Sequence, residues 1–136
     1  MRAAILKAAR TGRIEEMKTP YETNEMRPAL GGAAVSDPVQ YWRKLSADGE
    51  GREILAALLL ILEGPFARVA NGTKGEMFVW PAFAAMDLKQ LTPPQEVALL
   101  RLVRPPEAKP MRETGRYTWW QLGIGVDGTW HYLEKR

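Results

Sequence analysis

The residue types able to do chemistry crowd into the last twenty positions, Tyr117 to Arg136. This stretch holds Trp119, Trp120 and Trp130, three of the five tryptophans, together with His131, the only histidine. Gly123-Ile-Gly125-Val-Asp-Gly128 within it spells the spacing of a dinucleotide-binding loop. That loop works only between a strand and a helix N-terminus, whose amides hold the pyrophosphate. Here Asp127-Gly128 reads as a hairpin turn between two strand-like arms, so the match is accidental.

A lone imidazole is too little for a multi-histidine metal site. As a general base it needs an orienting carboxylate and a nucleophile. Glu76, Asp127 and Glu134 are the acids that could approach His131, whereas the only serines, Ser36 and Ser46, stand at helix boundaries. A structural histidine is the simpler reading, and a small hydrolase on His131 the alternative. Asp48-Gly-Glu-Gly-Arg-Glu53 gathers three carboxylates, but it lacks the ligand count of a calcium loop and reads as a turn before a helix. The absence of cysteine removes disulfides and thiolate sites. No cofactor, metal or catalytic residue is therefore expected.

Lys89, Arg101, Arg104, Lys109, Arg112 and Arg116 make the C-terminal half basic, with Glu96, Glu107 and Glu113 interleaved. Over the whole chain 19 bases stand against 16 acids, a net charge of +3 that falls short of a dedicated polyanion binder. A nucleic-acid or protein partner on this half is a further alternative. The longest apolar run, Ile54 to Leu62, would rise roughly 14 Å as a helix against a hydrocarbon core of about 30 Å, and does not span.

The elements that must position these residues follow from pattern. At 136 residues the chain suits one domain, with a helical part at about 3–63 and a sheet-containing part at about 66–134. Residues 3–18 read as helix with a break near Gly12, and 19–35 as loop. Ser36-Asp37-Pro38 starts a helix with Val39, Trp42 and Leu45 on one face. Residues 52–63, apolar almost all round, read as a central helix covered on several sides, ended by Gly64-Pro65. Residues 66–70 and 76–80 are strands around the turn 71–75. Thr92 and Gln95 form a capping box for a helix to about Val103. Residues 104–114 form a turn or short helix closed by Gly115. Helices first and strands last predict an α+β fold, with N-terminal helices packed on a small antiparallel sheet that ends in the C-terminal hairpin.

For that hairpin a three-residue loop with Gly128 in a left-handed bulge best groups the apolar set. It pairs Ile124 with Trp130 and Leu122 with Tyr132. Trp120, Leu122, Ile124, Trp130 and Tyr132 then share one face. The other displays Tyr117, Trp119, Gln121 and His131, with Gly123 leaving a depression between them. With Trp80 as a further anchor, these are the candidate ligand-binding residues, for a small ligand, a peptide or an envelope protein. The bland alternative is that helices cover this face and Trp119 is core.

Taken together, Asp48-Gly-Glu-Gly-Arg-Glu-Ile-Leu55, Glu76-Met-Phe-Val-Trp-Pro-Ala-Phe83, Leu91-Thr-Pro-Pro-Gln-Glu-Val97 and Gly123-Ile-Gly-Val-Asp-Gly-Thr-Trp-His131 resemble a family of uncharacterised bacterial proteins. The resemblance runs from about Arg2 to Tyr132. The family has no assigned activity, so it transfers no catalytic residue. Its members tend to carry an export signal ahead of the position of Arg2. The resemblance thus implies a periplasmic or exported domain if such a signal has been trimmed from Met1, and a cytoplasmic one otherwise. The expected function is a non-enzymatic binding or interaction module of the cell envelope.

Overall fold

A computed structural model describes all residues from Met1 to Arg136. The chain is α+β, as its pattern predicts, with six helices and a six-stranded sheet. Helix α1 (Arg2–Arg10) buries Ile5, Leu6, Ala8 and Ala9. It ends where Gly12 turns left-handed at φ +71°, and a 3₁₀ turn (Ile14–Met17) leads into α2 (Lys18–Glu22). The stretch 19–35 is more than the expected loop. Besides the end of α2 it holds two short strands, β1 (Ala29–Leu30) and β2 (Ala33–Ala34), folded back at Gly31-Gly32.

Strand β1 runs parallel to β6 (Trp130–Lys135), so the sheet is mixed rather than wholly antiparallel, and the N-terminal half contributes two of its strands. Beside β1, Asn24 extends the pairing. Its side-chain amide accepts from the Trp130 N–H at 2.8 Å and donates to the Trp130 carbonyl at 2.7 Å, as a strand neighbour would.

Asp37 caps α3 (Pro38–Leu45), accepting from the Gln40 amide at 3.1 Å. Trp42 is fully buried while Leu45, expected on the same face, is 47% exposed because the helix ends there. Helix α4 (Arg52–Leu62) packs on α1 and on the inner face of β5 (Trp120–Gly125). Strands β3 (Ala67–Val69) and β4 (Met77–Trp80) complete the sheet, whose order is β2-β1-β6-β5-β4-β3. Two 3₁₀ turns precede α5 (Pro93–Leu102) and α6 (Pro105–Thr114). The capping box closes α5: Gln95 N–H donates to Thr92 Oγ1, and Thr92 N–H to Gln95 Oε1 at 2.8 Å.

The hairpin has the three-residue loop. Gly128 adopts φ +90°, Gly125 N–H donates to the Thr129 carbonyl at 2.8 Å, and Ile124 lies opposite Trp130. The expected pairing of Leu122 with Tyr132 does not occur, because the next pair is Gly123 with Tyr132. His131 is thus an extra residue, a bulge that reverses the alternation beyond it. Leu133 takes the inward place opposite Leu122, and Tyr132 moves to the outer face.

Two apolar clusters result. The larger has 21 buried residues, among them α1, α4, Trp42 and the inward residues Trp80, Trp120, Leu122, Ile124, Trp130 and Leu133. At its heart Trp42 stacks on Trp130 at 6.4 Å, with Tyr21 edge-on to both. The smaller has seven, from Phe83 and Leu88 through Leu99, Val103, Ala108 and Met111 to Tyr117. Leu102 and Trp119 pack against both.

Candidate functional site

The five anticipated site residues do not form one site. Tyr117 is buried in the smaller cluster, its hydroxyl donating to the Trp120 carbonyl at 2.8 Å, and burial pushes its pKa above the ordinary value of 10.0. Trp80 is buried in the larger cluster beside Phe66 and Phe78. Gln121 is buried on the outer face of the sheet, donating to Glu134 Oε1 at 3.3 Å. The depression expected at Gly123 is filled, since the Tyr132 ring lies where a Cβ would be.

His131 sits at the other end of the hairpin, over Gly125. A Cβ added to Gly125 would lie 2.8 Å from both His131 Nε2 and Asp127 Oδ1, so imidazole and carboxylate share that space. Asp127 is held below the usual carboxylate range, first by the Thr129 amide at 3.0 Å, then by the Thr129 hydroxyl and in part by His131. The hydroxyl of Thr129, beside Asp127, donates to Glu25 Oε2 at 3.2 Å, and no hydrogen bond joins it to the imidazole. The acids of residues 48–53 likewise serve their own turn: Asp48 accepts from Ser46 and from the Glu50 amide, and Glu53 accepts from the Ala47 amide at 2.6 Å.

Trp119 differs from the rest. The other four tryptophans are at most 5% exposed, but Trp119 is half-buried and lines a cleft of about 620 Å³. Its position follows from its neighbours. Gly115 ends α6 at φ +82°, where a side chain would collide with Asp87. The link that follows, bent at Trp119, sends Tyr117 into one cluster and Trp120 into the other. Trp119, between them, is left facing the seam.

That seam is a groove. One wall is α4, with Glu53 and Leu60; the other is the α5–α6 unit, with Leu102, Arg104 and Met111, and Lys135 stands at the end. A second cleft of about 370 Å³ adjoins across the shared Leu60 and Leu102, with Phe83 and Arg101 among its lining. Both volumes lie in the range of ligand sites. Leu60 is 45% exposed, so the central helix, covered on several sides, is open on this one. Sequence reasoning found Trp119, named Arg104 only as part of the basic half, and missed Leu60 and Leu102. The available signal was α4 itself, apolar at a position with no second layer to meet it.

Chemically the groove offers apolar floor, indole, carboxylate and guanidinium, which is equipment for recognition. No protein-family model, curated protein or solved structure matches the chain.

Proposed function

We propose that this protein is a non-enzymatic binding module of the bacterial envelope, and that it holds a peptide segment of its partner in the groove between α4 and the α5–α6 unit. The observation that carries this reading is the half-buried Trp119 in a 620 Å³ cleft beside the uncovered Leu60. Tryptophan in such a setting is a frequent binding hot spot, since it offers a large contact area at little entropic cost. The envelope assignment rests on the resemblance of the motifs to exported bacterial proteins. A hydrolase on His131 has less support, because Asp127 is at hand but no nucleophile is bonded to the imidazole.

Peptides selected from a displayed random library against the whole protein test this. Trp119→Ala and Leu60→Glu should each weaken the selected peptides by about 30-fold or more, the scale of a hot spot worth 2 kcal/mol. His131→Ala, at the far end of the hairpin, should leave them unchanged. Selected peptides indifferent to Trp119 and Leu60 would place the site elsewhere.

A further inference from the structure

We infer that the occupant of the groove is an amphipathic helix of about three turns with one basic and one acidic flank; this rests on the binding reading above and goes beyond it. The first argument is backbone satisfaction. An extended peptide needs free strand edges to take up its amides and carbonyls. The sheet's edges are β2 and β3, and neither lines the groove. The walls are helices presenting side chains, whereas a bound helix satisfies its own backbone and needs only side-chain contacts.

The second argument is length. Along α4 and its C-cap the groove runs from Glu53 to Glu63, eleven residues and about 15 Å of helix rise. A partner helix of equal length carries apolar side chains at i, i+3 or i+4, and i+7. Trp119, Leu60 with Leu102, and Phe83 form a matching apolar floor along the two clefts.

The third argument is charge. In each cleft α4 or its C-cap supplies one glutamate and the opposite wall one arginine: Glu53 with Arg104 beside Trp119, Glu63 with Arg101 beside Phe83. Neither gap is closed by an ion pair. Glu63 pairs with Arg10 at 3.1 Å and Glu53 holds the Ala47 amide at 2.6 Å, while Arg101 and Arg104 enter no ion pair. Glu107 tempers the basic wall, and Lys135 adds a cation at the Trp119 end. A helix with lysines toward α4 and glutamates toward α5 complements both walls at once.

The test uses synthetic fourteen-residue peptides with one leucine stripe, read by fluorescence anisotropy on the full chain. One has a lysine flank and a glutamate flank; the others have two lysine flanks, two glutamate flanks, or the split flanks with a central proline. The split peptide should bind best, by about fivefold to tenfold over either uniform peptide, the scale of one or two exposed ion pairs. That advantage should shrink as salt is added. The proline version should lose binding. Arg101→Glu with Arg104→Glu, and Arg104→Glu alone, should shift preference toward the lysine-flanked peptide, with circular dichroism confirming the fold of each variant. Equal binding of the proline version, unchanged preference in correctly folded charge variants, or no binding of the split peptide overturns the inference. If library-selected peptides still depend on Trp119 in that case, the groove reading survives and only its occupant is wrong.

Discussion

Trp119 and Trp120 are consecutive and of one type, yet one faces a groove and the other is core. Trp119 lies at a bend and Trp120 opens β5, while Tyr117 anchors this link through its bond to the Trp120 carbonyl. The Tyr117 phenol is stable in place only while protonated, so its raised pKa has a defined sign. The stability it confers is complete below pH 10, its ordinary value, and is lost as pH rises from there toward the higher folded-state value. Ultraviolet titration should show a late-ionising tyrosine that disappears in Tyr117→Phe, and that variant should lose less stability than the parent between neutral pH and pH 11. Identical alkaline losses in the two proteins would refute the assignment. At this scale the sequence was partly legible. The loop type, Gly128 and the candidate Trp119 were readable from turn chemistry and composition. The bulge at His131 was not, because it depends on Leu133 rather than Tyr132 filling the inward place, a competition settled by packing and by Asn24 gripping Trp130.

Helix α5 shows how much an element's own ends can decide. It buries only Leu99 fully and leaves Val97 and Leu100 at 60% and 46% exposure, so packing does little to hold it. The capping box therefore carries an unusual share of its stability. Thr92→Ala should lower unfolding stability by about 1 kcal/mol, with Thr92→Ser retaining most of it, measured as a shift of the urea midpoint at constant slope. Caps of this kind were legible in advance, as were the ends of α4 and the strands around residues 71–75, since Gly, Pro and Asx residues act locally. Strands β1 and β2 were not. At two residues each they have no periodicity to read, and they exist because β6 offers a partner from a hundred residues away. The rims of the groove escaped for the same reason, since exposure of Leu60 depends on how far the α5–α6 unit stands off α4.

Across the whole molecule, the division into two clusters is the main determinant of behaviour. The smaller has seven buried residues against 21, and meets the larger through Leu102 and Trp119. Less buried apolar surface means a lower free energy of local opening. Native-state hydrogen exchange should find α5 and α6 amides opening together below the free energy of global unfolding, while β4, β5 and β6 exchange only globally. Uniform protection across both would show that the clusters melt as one. The partition was hidden in the sequence because nothing in composition separates residues 83–117 from their surroundings. Their path through the sheet adds a further point. The chain leaves β4 at Trp80 and returns in β5 with Leu122 as the partner of that same residue. In effect β4 and β5 form a hairpin whose loop has grown into one wall of the groove. No residue of that loop takes part in the strand pairing, so substitutions within it can reshape one wall of the groove without shifting the register of the sheet.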